Sequence, residues 1–473
     1  MSSLLAFSIG VGLPSLTGWF VLQSLEGNTR VLGRPFCCAL GFLLGVALSM
    51  FVLFFLSGIL SLPLSRTTVL LTEGILLLLS GILWFLRCRG TPVVSPAPSS
   101  PSLSNLQWCG VALLGTWIFF KTVVAAGTFL LLVPTYFDDS FDNWNLRAKV
   151  FHHTQAFSLQ LPGETLQASL TGISSYPPMV PLFKASLTLL YGDWSEPLMS
   201  SVHILWYLCI LVLIFGALKR ICSLPWALLG AYLFSSLPLP LLHGTNAYAD
   251  AFLSAHICAA LLPIALAWHA QEEPERMTLL RIAAIFLALL PFIKNEGMLL
   301  YFPPMLLIFA GSLWWMARRS LIGRKEAVAV ALWSACCIFV FVLPWLLFKW
   351  SNGMSFGNAK PVGSLALSWQ ETVLQAIAVN TFFEGNWLLL FPAFFLALML
   401  QNRAACRPPL LPLTTFFLIL YFGQMPIFMF TPLSTEAIRQ TGYARGLVHL
   451  APIAVTLTTV LLAKLWNEKV RRT

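Results

Sequence analysis

Charged side chains are scarce in this sequence. Asp, Glu, Lys and Arg make up 10% of its 473 residues, against roughly 25% in typical soluble domains. Hydrophobic residues make up 58%, above the ~45–50% that is usual for soluble proteins. So few charges cannot cover the surface of a water-soluble fold of this length. The composition therefore excludes a soluble enzyme, a disordered chain and a nucleic-acid-binding protein, and it indicates a chain that crosses a membrane many times.

Other features are missing as well. No Lys or Arg precedes the first apolar run, so the basic region of a cleavable signal peptide is not expected. The segments assigned below to the outer side contain no cysteine, and structural disulfides are therefore not expected there. No Asn lies in an N-x-Ser/Thr sequon, which favours a bacterial inner membrane over a eukaryotic secretory one. No internal repeat is strong enough to indicate an inverted-repeat transporter.

The apolar runs predict an all-α polytopic membrane protein with about thirteen transmembrane helices, since each crossing needs ~20 apolar residues. The predicted spans are 4–24, 36–60, 67–86, 108–133, 199–217, 224–242, 250–270, 279–293, 297–316, 327–348, 386–401, 410–430 and 446–465.

The placement of charge predicts the orientation. With the N-terminus outside and the C-terminus in the cytoplasm, the cytoplasmic segments hold eighteen basic and six acidic residues, and the outer segments hold nine basic and eleven acidic. This bias satisfies the positive-inside rule. The net charge of +10 is therefore interpreted as an orientation signal, and no nucleic-acid partner is expected.

A Pro/Ser-rich segment divides the chain. We predict an N-terminal three-helix membrane module (1–89), a cytoplasmic linker (90–107), a core (108–350) with the acidic outer loop 134–198, and a last outer loop with C-terminal membrane helices (351–473).

The longest outer segment, 134–198, opens with three carboxylates, Asp138, Asp139 and Asp142. An amphipathic helix over 141–157 is predicted to lie in the membrane interface, and a second short helix after Tyr176-Pro177-Pro178 is expected to rest on the membrane. The aspartates are equally consistent with a solvated loop or with helix capping. Their position beside aromatics at a membrane boundary favours a functional site.

Further ionisable residues lie near the outer ends of other predicted helices. These candidates are Asp250, Lys294, Glu296, Glu384, Arg439 and Arg445. A hairpin salt bridge would also explain Lys294 and Glu296, and headgroup snorkelling would also explain the two arginines. Carboxylates can act as bases, and Arg and Lys can bind a phosphate. Their convergence on one side suits a lipid-phosphate substrate whose head group lies outside.

In their order, these motifs resemble the GT-C glycosyltransferases, multispanning enzymes that use polyprenyl-phosphate-linked sugars and include the protein O-mannosyltransferases and the aminoarabinose transferases. The resemblance covers roughly 108–465. It rests on FDDSFDNWNLRAK at the start of the first large outer loop, YPPMVPL later in that loop, IKNEG, and YARGLVHLAP before the last helix. The sequence departs from the family in placing this loop after the fourth helix rather than the first, and in lacking a large soluble domain after the last helix.

The resemblance implies an extracytoplasmic inverting transfer from a polyprenyl-phosphate donor to a lipid, glycan or protein acceptor. A carboxylate of the first loop would be the base, with Asp139 favoured over Asp142 and Asp138. Arg445, Arg439 and Lys294 would bind the donor phosphate. Glu296, Asp250, Tyr176 and Glu384 are further site candidates.

Two alternatives remain open at this point. A transporter or flippase of a lipid-linked or anionic solute would also need many spans, and a non-catalytic assembly subunit could use residues 1–89 for docking. No cofactor is expected, although His152 and His153 near the aspartates leave a metal possible; neighbouring helix residues point in different directions. The partners expected are the donor, the acceptor and membrane lipids.

Overall fold

The fold is described here from a computed structural model that covers residues 1–88, 93–94, 104–135, 139–356 and 367–472. Most of the predicted linker 90–107 lies outside these residues, as does Asp138. The division of the chain into a module, a linker and a core stays a prediction.

Helices dominate the described residues. The N-terminal part contains α1 (Ser3–Glu26), α2 (Arg34–Phe54), α3 (Arg66–Arg87), α4 (Asn105–Ala126), α5 (Leu146–Thr154), α6 (Leu166–Thr171), α7 (Met179–Tyr191) and α8 (Glu196–Ser200). The middle part contains α9 (His203–Ile221), α10 (Leu224–Ser236), α11 (Pro238–Gly244), α12 (Asp250–His269), α13 (Glu273–Ile293), α14 (Phe302–Arg318), α15 (Arg324–Phe341) and α16 (Leu343–Ser351). The C-terminal part contains α17 (Val373–Phe382), α18 (Leu390–Leu400), α19 (Asn402–Ala405), α20 (Leu411–Phe430), α21 (Ser434–Ile438) and α22 (Gly442–Arg472).

Short irregular elements extend several of these helices. Segments with π-helical hydrogen bonding cover Phe55–Ile59, Gly127–Leu132, Asp139–Asn145 and Gly297–Tyr301, and a 3-10 turn covers Ile173–Ser175. Thr29–Arg30 pairs in parallel with Val93–Val94 as a minimal two-stranded sheet. Such π-helical segments are often found at functional sites, and two of the four border the cluster of charges described below.

Eleven helices in the described residues are long and apolar enough to cross a membrane, or twelve if α10 and α11 form one span. The polytopic all-α architecture is thereby confirmed, whereas the count of thirteen is not. The predicted span 224–242 is broken, because Pro238 has no N–H to continue the helix, and its two halves meet at an angle of 78°.

The predicted span 386–401 is also shorter than expected. A turn occupies its start, and Leu388 has a φ of 50°, so that α18 has only 11 residues, about half of a ~30 Å hydrocarbon core. One of its ends contacts α17 and the other contacts α22. Trp387 donates to the Asn380 carbonyl at one end, and Gln401 donates to Glu468 at the other.

Three helices form the centre of the molecule. α12 and α13 are buried along nearly their whole length, and so is most of α22. α2, α9, α10 and α20 pack around them. Small side chains such as Ala259, Ala260 and Ala283 line these contacts and allow the close helix packing that is typical of membrane proteins.

The first three helices pack together and against the rest of the chain. α1 and α2 cross so closely that a Cβ on Gly45 would lie 1.7 Å from the Pro14 carbonyl oxygen. α2 is mostly buried, and it contacts α7, α9 and α13. These contacts join residues 1–87 to the helices that carry the charged cluster.

The acidic outer loop contains the expected helices, with one correction. α5 begins within the predicted amphipathic segment 141–157. The second helix, α7, was expected to rest on the membrane surface, but it is buried from Met179 to Leu190. It is covered because α1, α2, α3 and α5 all pack against it, and the sequence of α7 alone does not reveal these neighbours.

Candidate active site

Helix ends and one tight turn bring the charged residues of four distant segments together. Asp250 lies in the first turn of α12, and Arg445 and His449 lie four residues apart on one face of α22, as the helical repeat requires. Lys294 and Glu296 belong to the turn after α13. Asp139 begins the π-helical segment Asp139–Asn145.

Asp250 is the centre of this cluster, and its side chain is fully buried. Its Oδ1 accepts hydrogen bonds from Lys294 Nζ at 2.8 Å and from His449 Nε2 at 2.9 Å. Its Oδ2 accepts from Arg445 Nε at 3.1 Å and lies 3.2 Å from His243 Nδ1. Two cations therefore compensate this buried carboxylate, and both of its oxygens are occupied. These contacts indicate that Asp250 positions the cations and does not act as a proton acceptor.

Arg445 connects this buried group with an accessible one. Its Nε contacts Asp250, while a terminal nitrogen forms an ion pair with Asp139. The Asp139 side chain is 36% exposed and that of Arg445 is 25% exposed. The Arg445 guanidinium also lies 5.6 Å from the centre of the Tyr248 ring, which stacks on His243. Asp139 thus combines partial exposure with direct contact to a cation.

Lys294 links Asp250 to a second carboxylate. Its Nζ lies 3.2 Å from Glu296. Burial raises the pKa of Glu296, but the nearby positive charges, Lys294 foremost, and a backbone hydrogen bond together lower it, so that the pKa falls below its ordinary value. On the other side of Asp250, His449 Nδ1 lies 2.9 Å from the Tyr301 hydroxyl. Glu296 is therefore held in its charged form beside the cluster.

Tyr176 faces the same charges, and buried cations hold the backbone around it. Arg147 donates to the carbonyls of Tyr176 at 3.0 Å and Pro177 at 3.4 Å. Lys349 donates to the Ser175 carbonyl at 2.5 Å. Burial raises the pKa of Tyr176, and the carboxylates of Glu296 and Asp139 raise it further, so the phenol stays protonated.

Another buried cation fixes the segment that carries Asp139. Lys184 of α7 is fully buried, and its Nζ donates to Asn145 Oδ1 at 2.6 Å. Asn145 in turn donates to the Thr135 hydroxyl at 3.1 Å. Burial lowers the pKa of Lys184 to about 7.

In the described part of the chain, the remaining candidates make no contact with Asp250. Asp142 is exposed on the π-helical segment, and within the described residues it forms no ion pair. Arg439 is exposed and likewise forms no ion pair in that part of the chain. Glu384 accepts a hydrogen bond from Gln440. Asp138 lies outside the described residues.

Sequence analysis missed four residues that the fold adds to the cluster. These are His243, Tyr248, Tyr301 and His449. One local signal was present, because Arg445 and His449 share a helix face. Within the described residues no group of three or more His, Cys, Asp and Glu side chains is arranged to hold a metal ion, and the question of a cofactor stays a prediction.

The architecture defines a class, an all-α polytopic membrane protein, and the comparison with solved structures shows the GT-C-like fold that the motif resemblance implied. Among solved structures, the chain is similar to two of ArnT from Cupriavidus metallidurans. Its apo structure matches with a TM-score of 0.51, and the structure described as bound to undecaprenyl phosphate matches with a TM-score of 0.49.

In both comparisons 13% of residues are identical and the match covers 77% of this chain and 62% of ArnT. The likeness is therefore one of fold. No protein-family model matches the chain, and no curated protein matches its sequence.

Proposed function

We propose that this protein is an inverting glycosyltransferase that moves a sugar from a polyprenyl-phosphate donor to an acceptor on the outer face of a bacterial inner membrane. The observation that carries the proposal is the position of Arg445, which joins a buried, compensated Asp250 to an accessible Asp139. A cation that is fixed at one end and exposed at the other suits an anionic substrate.

Arg445 and Lys294 bind the donor phosphate in this proposal. Asp250 holds Arg445 through Nε, which leaves the terminal nitrogens of the guanidinium to face the substrate. Arginine offers two parallel donors to a phosphate. The phosphate competes with the Asp139 carboxylate for these donors, and binding of the donor thereby releases Asp139.

Asp139 then acts as the general base. It takes the proton from the acceptor hydroxyl or amine, whose lone pair forms the new bond to the anomeric carbon. The bond from that carbon to the phosphate oxygen breaks, and the electron pair leaves with the polyprenyl phosphate. Arg445 and Lys294 stabilise the charge on the leaving group, which is usually the larger catalytic contribution. Asp142 and Asp138 follow Asp139 as candidates for the base.

The fold supports the choice of donor. ArnT, whose apo structure shares this fold, has also been solved with undecaprenyl phosphate bound. A lipid-linked donor also suits a site at the ends of membrane helices, because the head group reaches the cluster while the chain stays in the bilayer. Arg445, the more exposed of the two cations, faces the leaving group, and Lys294 adds positive charge from behind it.

The test is transfer of labelled sugar from a polyprenyl-phosphate donor by the purified full-length protein in lipid nanodiscs. The proposal expects transfer by the wild type, and loss of both donor binding and transfer in Arg445→Ala. Arg439→Ala is the matched control, because that arginine is exposed and forms no ion pair with the described residues. Movement of an intact lipid-linked sugar across the membrane without transfer would instead support the transporter alternative.

A further inference from the structure

A cavity of about 110 Å³ is lined in part by direct sequence neighbours of Asp139 and Tyr248. Its described lining comes from the end of the π-helical segment Gly127–Leu132, the start of Asp139–Asn145, α8, and the loop that leads into α12. Ser140, Ser200, Thr135 and Asn246 provide its polar groups, and Phe129 lines its apolar side.

Two buried hydroxyls at this cavity lack a hydrogen-bond partner in the described part of the chain. The exposed fraction is 1% for Ser140 and 4% for Ser200, and the Oγ atom of each is unpaired. Burying a hydroxyl without a partner costs free energy, so an unpaired hydroxyl in a cavity wall calls for a ligand or ordered water. Here both serines belong to the wall of one cavity, so a small rotation of either side chain would turn its hydroxyl to a ligand.

The cavity is placed where a substrate of the charged cluster would extend. Ser140 follows Asp139 directly, and Asn246 and Ala247 precede Tyr248, whose ring lies beside the Arg445 guanidinium. Asp139 is therefore one residue, and Asp250 three residues, from a residue of the cavity wall along the backbone. A donor whose phosphate contacts Arg445 has its sugar within reach of this wall.

We infer that this cavity is the subsite for the uncharged, hydroxyl-bearing edge of the donor sugar, and the inference rests on the proposed function. Serine hydroxyls and the Asn246 amide can each donate and accept hydrogen bonds, which matches sugar hydroxyls. The described lining residues carry no charge, so a carboxylated or phosphorylated sugar does not fit. A water needs only ~10–15 Å³ of such space, so this volume has room for several polar groups.

The test compares lipids that differ only in the sugar. Calorimetry would measure the affinity of the full-length protein for decaprenyl phosphate, and for the same lipid carrying glucose, mannose, galactose or arabinose. We expect at least one glycosylated lipid to bind more tightly than bare decaprenyl phosphate. Ser140→Ala and Ser200→Ala should each weaken that binding by roughly two- to tenfold, and the affinity for decaprenyl phosphate should stay unchanged.

Two further variants make the result specific. Ala247→Val narrows the cavity without removing a polar group. It should lower the affinity for the glycosylated lipid and leave the affinity for decaprenyl phosphate unchanged. Ser57→Ala removes a buried, unpaired hydroxyl elsewhere in the described chain and should change neither affinity. Thermal unfolding of each variant would identify any loss of folding.

The inference is overturned if the serine variants bind every lipid as the wild type does, which would mean that the cavity holds water only. It is also overturned if the serine variants lower the affinity for bare and glycosylated lipid equally. A third contrary result would be that no glycosylated lipid binds more tightly than decaprenyl phosphate. Arg445→Ala separates this failure from that of the proposed function, because that variant should lose affinity for both lipids. Normal binding of decaprenyl phosphate by Arg445→Ala would refute the proposed function itself.

Discussion

Asp250 and Asp139 contact the same arginine but have opposite surroundings. Asp250 is fully buried with cations on both oxygens, whereas the Asp139 side chain is 36% exposed. A base must reach the acceptor and must be able to release its ion-pair partner. At the scale of single residues, the proposed function therefore gives the exposed carboxylate the role of base and the buried one the role of anchor.

Asp139→Asn should lower turnover by about 10²–10⁴-fold, the usual contribution of general acid–base catalysis. The affinity for donor should stay the same or rise, because the amide no longer competes with the phosphate for Arg445. Transfer rates and donor binding, measured separately, would check this prediction. Asp142→Asn is the matched control, and normal turnover by Asp139→Asn with lost turnover by Asp142→Asn would move the base to Asp142.

Asp250→Asn should instead destabilise the protein, because Lys294 and Arg445 would lose their shared buried counter-ion. Breaking a buried ion pair by removing one partner typically costs ~3–5 kcal/mol. The free energy of unfolding in detergent, measured beside the exposed-site control Asp193→Asn, would show the difference. Equal stability of the two variants would contradict the role of Asp250 as an anchor.

At the scale of elements, buried cations attach the acidic loop to the helices around it. Lys184 connects α7 to the end of the segment Asp139–Asn145, and Lys349 connects α16 to the turn that precedes Tyr176. Both lysines hydrogen-bond to uncharged oxygens. Such acceptors compensate only part of the free-energy cost of burying an ammonium group. We expect these contacts to position the loop rather than to take part in the reaction.

The Lys184 contact predicts a dependence of stability on pH. Burial lowers the pKa of Lys184 from an ordinary value of 10.5 to about 7 in the folded protein. Between these values the unfolded chain binds the extra proton, so stability should rise as the pH increases from about 7 towards 10.5. Lys184→Met should remove this part of the pH dependence, which unfolding measurements at several pH values would detect. An unchanged slope would mean that Lys184 is not desolvated.

Lys349→Met should impair catalysis through Tyr176. The substitution leaves the Ser175 carbonyl without its buried donor, and such a loss costs ~1–3 kcal/mol. We expect lower kcat together with increased proteolysis of the loop 173–178, while Lys349→Arg restores part of the activity. Lys149→Met, at an exposed lysine of α5, is the control. Reduced stability with normal kcat would assign Lys349 a structural role alone.

At the scale of the whole molecule, the orientation of the chain decides whether the cluster faces the outside. Cysteine labelling tests this in a variant whose native cysteines are replaced. A cysteine at Asp142 should react with an impermeant reagent added outside, and a cysteine at Arg319 should react only after the membrane is opened. The reason is the excess of basic residues in the segments that we assign to the cytoplasm. Reaction of both positions from the same side would refute this topology.

The sequence alone determined the architecture of this protein to a large extent. Long apolar runs have few stable forms other than helices in a bilayer, so most predicted spans correspond to helices of the structure. The order of motifs indicated the GT-C-like fold, and it identified Asp139, Lys294, Glu296 and Arg445 as candidates before their contacts were known.

Tertiary packing alone decided which charges meet. Asp250 contacts His449 across 199 positions of sequence and Lys294 across 44, and hydropathy contains no information about such pairs. The same is true of α7, which reads as a surface helix but is buried because four other helices cover it. Apolar periodicity reports where a chain meets lipid or core, whereas the partner of a buried charge depends on how whole helices pack against one another.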